Sequence, residues 1–150
     1  MLTTLMKFGS YRIDRFFKAE KSGNEFGFYI RPRMLPLGGF YADAKSQLYY
    51  GLALILSRGE LGNLAGVYID IDELANLQRP AYRAMKQDML EGHFNKVLIV
   101  ERDALLGDAI AEADLYNLCS QITGLELFRF QAGEREVFPM FAEMIFEMLG

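Results

Sequence analysis

Five carboxylates stand in two short groups along this chain of 150 residues: Asp70, Asp72 and Glu73 in the first, Glu101 and Asp103 in the second. Each group follows an apolar run, Val67-Tyr68-Ile69 or Val97-Leu98-Ile99-Val100, so each is expected at the carboxyl end of a strand. Ligands of open parallel sheets bind at those ends. Oxygen ligands of this kind suit Mg²⁺, and a bound Mg²⁺ engages a phosphate. One chemistry open to the chain is therefore Mg²⁺-dependent phosphate processing, with Asp70, Asp72, Glu101 and Asp103 as the ligands. The plainer reading stays beside it: successive strand residues face opposite ways, which leaves these carboxylates solvated or paired with Arg79, Arg102 and Lys96.

Other chemistries have less behind them. The single Cys119 sits in a helical apolar pattern and reads as a reduced core thiol, and the single His93, just after Gly92, reads as a turn residue and excludes a multi-histidine metal site. Gly38-Gly39 and Gly59-x-x-Gly62 lack both a P-loop lysine and a dinucleotide fingerprint, so no cofactor is expected. The aromatic residues, including Tyr49, Tyr50 and Phe128, read as packing rather than as a stacking surface for bases.

The elements that must position these groups alternate between strand and helix. Phe26 to Ile30 reads as a first strand between Gly23-Asn24 and Pro32, and residues 42–58 as a helix with Leu48, Leu52, Ile55 and Leu56 on one face. Val67 to Ile69 is a second strand. Pro80 opens a helix whose face is Tyr82, Met85, Met89 and Leu90, and Gly92 stops it. Lys96 to Val100 is a third strand, nearly continuous in apolar residues as in a sheet covered on both faces. A helix from about residue 108 carries Leu115, Leu118, Cys119 and Ile122 and ends at Gly124; Leu125 to Phe130 is a fourth strand. After the turn-like Gln131-Ala132-Gly133, Pro139 opens a last helix with Phe141, Met144, Ile145 and Met148 on one face. The alternation predicts a three-layer α/β domain over residues 25–150, built on four mainly parallel strands flanked by helices. Residues 1–24 are expected as an appendage whose Tyr11, Ile13, Phe16 and Phe17 serve a short helix or an edge strand.

Tyr29-Ile30-Arg31-Pro32-Arg33, Asp70, Arg79-Pro80, Gly92 and Asp103 stand in a joint register that resembles the catalytic domain of the serine recombinases, the resolvase/invertase family, over about positions 26 to 145. The resemblance implies that Tyr29, Arg31, Asp70, Arg79 and Asp103 are vestigial active-site positions, and that strand one lies between strands two and three, with strand four beyond three. It also implies that the activity is lost. Arg33 stands in the nucleophile's place, and the two arginines that follow the family's aspartate are Ala104 and Gly107 here. Phosphoryl transfer of this type needs a hydroxyl nucleophile and guanidinium groups around the scissile phosphate, and losing one such donor costs about a hundredfold or more in rate. Neither Ser10, Ser46 nor Ser57 occupies a position that replaces the nucleophile. In the family the last helix is the dimerisation element, and the extra apolar residues Met140, Phe146 and Leu149 widen its apolar arc here.

Composition agrees with one soluble domain of 51% hydrophobic content. No apolar run reaches the roughly 18 residues of a membrane span and no signal-peptide pattern opens the chain, so a cytoplasmic location is expected. Residues 1–58 carry a charge of +5 and residues 59–150 a charge of −9, which with a pI of about 5.1 argues for weak or absent direct DNA binding. With the chain ending at Gly150, no DNA-binding domain is expected to follow. The expected function is that of a catalytically inactive recombinase-like domain serving as a protein-interaction or regulatory module, homodimeric through its C-terminal helix and DNA-associated only through a partner; the Mg²⁺-dependent enzyme is the alternative.

Overall fold

The computed structural model describes residues 10–32, 40–71, 78–101, 103–106, 109–131 and 134–138. They form an α/β fold around one six-stranded mixed sheet of order β1-β3-β2-β4-β5-β6. The strands are β1 (Ser10–Arg15), β2 (Phe26–Ile30), β3 (Leu64–Ile71), β4 (Lys96–Leu98), β5 (Glu126–Gln131) and β6 (Glu134–Phe138). The four central strands pair in parallel, β3 with β2, β2 with β4 and β4 with β5, while β1 and β6 run antiparallel at the two edges.

The expectation of four mainly parallel strands is thus corrected at both edges. Within the stretch expected as an appendage, residues 10–15 pair with β3 from Ser10 opposite Ile71 to Arg15 opposite Gly66. Past Gln131 the chain returns along β5 as β6 instead of passing directly to a helix. Both edge strands are rich in charge, as edges must be to discourage pairing with other chains. Arg12 pairs with Asp14 at 2.7 Å along β1, and Arg129 of β5 with Glu136 of β6 at 2.6 Å.

Among the described residues the sheet is covered by α1 (Phe40–Ser57), α2 (Pro80–Leu90), the single turn α3 (Asp103–Leu106) and α4 (Ala109–Cys119). Alternation along the strands sorts the core into two clusters. Phe26, Phe28 and Ile30 of β2, with Val67, Ile69 and Ile71 of β3, pack under α1 through Ala44, Leu48 and Ile55. Tyr29 and Tyr68, adjacent in the parallel register, face the opposite way and pack under Tyr82, Met85 and Met89 of α2 and Leu115 and Leu118 of α4. Gly51 of α1 lies so close to the Phe28 ring that a Cβ there would overlap it, which lets α1 sit down on β2. Gly92 ends α2 with φ +87°, a left-handed conformation that only glycine adopts without strain.

Two expected core positions are corrected. Leu56 is 60% exposed and Leu90 45% exposed, because each lies at the margin of a stripe whose centre alone meets the sheet. Cys119 is partly buried, which raises its thiol pKa and keeps it protonated, and His93 stacks on Phe17 at 3.8 Å between ring centres. The expected C-terminal helix, with Phe141, Met144, Ile145 and Met148, lies outside the described residues.

Candidate functional site

Asp70 shares the α2-facing side of β3 with Tyr68, since Val67, Ile69 and Ile71 take the other side. Directly above it α2 begins. Pro80 is the first helical residue and has no N–H to satisfy, so the first free amides of the helix belong to Ala81 and Tyr82. Both point at the Asp70 carboxylate: Ala81 N donates to Oδ1 and Tyr82 N to Oδ2, each at 2.9 Å. Arg79, the residue preceding the helix, makes no side-chain capping bond. The helix is therefore capped from a neighbouring strand by a full negative charge at its positive end.

Tyr29 completes the arrangement by donating its hydroxyl to Asp70 Oδ2 at 2.8 Å. Burial pushes its pKa well above the usual tyrosine value, the Asp70 charge pushes it the same way, and Arg79 opposes both. Arg79 is itself 4% exposed and reaches toward the Ala104 carbonyl with a long Nη1 contact of 3.4 Å. Three of the sequence-singled positions, Tyr29, Asp70 and Arg79, thus come together with Ala104 in one buried cluster.

The remaining positions distribute differently. Arg31 is half-buried at the end of β2. Arg33, Asp72, Glu73, Arg102 and Gly107 lie outside the described residues, and of Asp103 only the backbone, which opens α3, is described. Glu101 is half-buried where the chain leaves β4. Asp70, a candidate metal ligand in the sequence, acts as a helix cap: Oδ1 accepts one N–H, and Oδ2 one N–H and one O–H. Among the described residues no group of three or more His, Cys, Asp or Glu side chains is arranged to hold a metal ion.

A cavity of about 400 Å³ opens at the same edge of the sheet, on the α1 side. One wall is α1, through Asp43, Ser46, Gln47 and Tyr50; the other is Val100 and Glu101 after β4, with Arg129 and Phe130 of β5. The position is the one at which connections diverge, since β2 leads through α1 to β3 on one side while β4 leads through α3 and α4 to β5 on the other. Gln47, 3% exposed, donates its Nε2 to the Arg31 carbonyl at 2.8 Å and to Asp43 Oδ2 at 2.9 Å. Its Oε1 is buried and accepts no hydrogen bond.

Asp43 and Gln47 were not singled out by sequence reasoning. Their signal was present: they recur at i and i+4 beside Ala44 and Leu48, so two polar residues lie within the stripe that a helix turns to its sheet. Asp88 was missed in the same way beside Met85 and Met89. It is buried on the inner face of α2, accepts from the Tyr68 hydroxyl at 2.6 Å and from Arg15 Nε at 2.8 Å, and so ties edge strand β1 to α2.

No helix among the described residues is long and apolar enough to cross a membrane. Comparison of the chain with protein-family models, with curated proteins and with solved structures finds no match in any of the three.

Proposed function

We propose that this chain is a catalytically inactive domain of the serine-recombinase type, serving as a protein-interaction or regulatory module. The observation that carries the reading is the fate of Tyr29, Asp70 and Arg79. They cluster at one edge of the sheet, and the carboxylate and the phenol at its centre are wholly buried and bound to each other and to a helix terminus. Residues so placed hold a strand against a helix; they do not present an open site to a phosphodiester. Support for the fold comes from the order of the parallel strands, β3-β2-β4-β5, with the first of them between the second and the third. Ala104, 2% exposed, packs in the core where the resemblance calls for a phosphate-binding arginine. Arg33 in the nucleophile's place supplies no hydroxyl to attack phosphorus.

The Mg²⁺ reading is weakened by the commitment of Asp70 to α2. If carboxylates at these strand ends held the ion, Mg²⁺ would raise the melting temperature of the native state, and Asp72→Ala would abolish the shift; the interaction-module reading expects no shift.

The module assembles as a homodimer through the apolar segment Pro139 to Gly150, with DNA reached only through a partner. Incubation with supercoiled plasmid, with and without Mg²⁺, is expected to give no nicking, for the wild type and for Arg33→Ser alike. Sedimentation at about tens of micromolar is expected to show a dimer that Phe146→Glu weakens. Nicking by either protein, or a monomeric wild type, refutes the corresponding half of the reading.

A further inference from the structure

We propose that the apolar groove between β1 and α1 is the seat of the chain's own first eight residues, which lie outside the described ones. The inference goes beyond the interaction-module reading and does not depend on it.

The groove follows from the order of the sheet. The chain leaves β2, forms α1 and returns as β3, so α1 lies over those two strands, while β1 is added outside β3. Arg12 and Asp14 of β1 stand opposite Ile69 and Val67 and therefore share the α1 side of the sheet. On the other side β1 is covered, since Ile13 and Phe17 pack on the α2 cluster and Arg15 bonds Asp88. On the α1 side no described helix lies over it. What remains there is a cavity of about 580 Å³ whose described walls include Phe16, Leu48, Leu52, Leu61 and Val67. Phe16 and Leu61 are each 51% exposed, and Leu56, one turn along α1 from Leu52, is 60% exposed. Three large apolar side chains on one flank of the molecule are thus left more than half open, as they are where another segment packs.

The occupant is named by where the chain enters. β1 runs antiparallel to β3, from Ser10 opposite Ile71 to Arg15 opposite Gly66, so the residues before Ser10 join at one end of the groove and Phe16 marks the other. Arg12 to Phe16 spans about 14 Å at roughly 3.4 Å per strand residue. Eight helical residues measure about 12 Å. Wound at about 100° per residue, Met1, Leu2, Leu5, Met6 and Phe8 fall within one arc of about 160°, and Thr3, Thr4 and Lys7 take the opposite side. Segment and groove therefore match in length and in apolar character. Gly9 stands where the chain must reverse onto its own strand, at a position that profits from conformations closed to other residues. The other apolar segment, Pro139 to Gly150, is attached at the wrong edge: it follows β6, five strand intervals or about 24 Å from β1, with α1 between them on this face. As a helix it measures about 18 Å and does not span that gap.

The test is backbone and methyl NMR on the full chain, with an equal mixture of isotope-labelled and unlabelled protein to separate contacts within a chain from contacts between chains. Helical shifts are expected over residues 2–8, with intrachain NOEs from the Leu2 and Leu5 methyls to those of Leu52 and Leu61. A helix of eight residues is not stable by itself, so its order depends on the groove. Leu5→Glu and Leu61→Glu should each abolish the helical shifts of residues 2–8 while β1 and α1 keep theirs, and lower Tm by about 4–8 °C. Leu61 is half exposed, so its replacement leaves the core intact, and Leu5→Glu carries the test if Leu61→Glu does not fold. Groove contacts that come from residues 139–150, or that appear only between chains, assign the groove to the C-terminal segment or to a second copy and overturn the proposal. Random-coil shifts over residues 1–8 of the wild type, or helical shifts that survive either substitution, overturn it as well. Failure here leaves the inactive-module reading intact, because plasmid nicking and the sedimentation of Phe146→Glu do not depend on the groove.

Discussion

Replacing Asp70 by asparagine keeps the shape of the side chain and removes its charge and one of its acceptors, so it isolates the cap from simple packing. In the native protein Oδ1 accepts from Ala81 N, and Oδ2 from Tyr82 N and the Tyr29 hydroxyl. The least costly amide orientation puts Nδ2 in the place of Oδ1. Ala81 N–H then meets a donor, and each orphaned buried donor costs about 1–3 kcal/mol. The two surviving bonds pass from charged to neutral acceptors, a loss of about 1 kcal/mol each, and the helix N-terminus loses its anion, worth about 0.3–1 kcal/mol. Against this, a buried charge no longer has to be desolvated, which returns several kcal/mol in part. The net expectation is a destabilisation of about 2–4 kcal/mol, or a fall in Tm of roughly 5–15 °C for a chain of this size. Urea unfolding followed by circular dichroism should show a lower midpoint with an unchanged slope. Tyr29→Phe supplies the internal standard, because it removes the hydroxyl with its bond to Asp70 and its contact with Arg79 and leaves both amides capped, for about 0.5–1.5 kcal/mol per bond. If Asp70→Asn costs no more than Tyr29→Phe, the carboxylate is not the cap that holds α2 to β3.

Three further predictions follow from the same geometry. Tyr29 and Tyr68 both have hydroxyl pKa values raised above 10.0, first by burial. Stability is therefore complete below pH 10 and falls as pH rises above it, where the unfolded chain releases protons that the native one retains, at about 1.4 kcal/mol per pH unit for each tyrosine; unfolding series at pH 9 to 11 should show a shallower fall in Tyr68→Phe. Asp88→Ala strands the buried Tyr68 hydroxyl and is expected to cost about 2–3 kcal/mol in urea unfolding. Arg15→Ala breaks the same cluster from its solvent side, where the Arg15 side chain is 45% exposed, and should cost less than about 1 kcal/mol; equal costs would refute the assignment of the energy to the tyrosine. Gly51→Ala, a change that stabilises an ordinary helix by about 1 kcal/mol, should instead destabilise by about 1–3 kcal/mol, because the new methyl overlaps the buried Phe28 ring. A melting temperature at or above the wild type for Gly51→Ala would show that α1 lifts from β2 without cost.

How legible these features are in the sequence depends on whether the cause is local. Pro80 at the first turn of α2, the stop at Gly92, and the apolar runs of the central strands act within a few residues of themselves, and each is readable, whereas Gly124, expected to stop the helix through Ile122, lies beyond the end of α4 at Cys119. The edge strands are less so, since a strand that must refuse further pairing is built from Arg12, Asp14 and Arg15 or from Glu134, Arg135 and Glu136; β1 is legible only as one of two readings of Tyr11 and Ile13, a short helix or an edge strand, and β6 is hidden by its polarity from a search for apolar runs. The site is harder still. Alternation along β3 alone assigns Asp70 to the face of Tyr68, but it does not tell that the end of a helix ten residues later arrives with two free amides. Asp70 therefore looks the same in sequence whether it binds Mg²⁺ or caps α2. Gln47 stands in the converse position: a polar residue in a helix stripe, it reads as a core residue until its bonds are counted. Its amide nitrogen has two acceptors and its oxygen has no donor. The two side chains lie at the same edge of one sheet, on opposite faces, and what separates them is the number of donors that reach them. The covering helix α2 brings two N–H groups to the Asp70 carboxylate, whereas on the α1 face the Gln47 oxygen is buried with none.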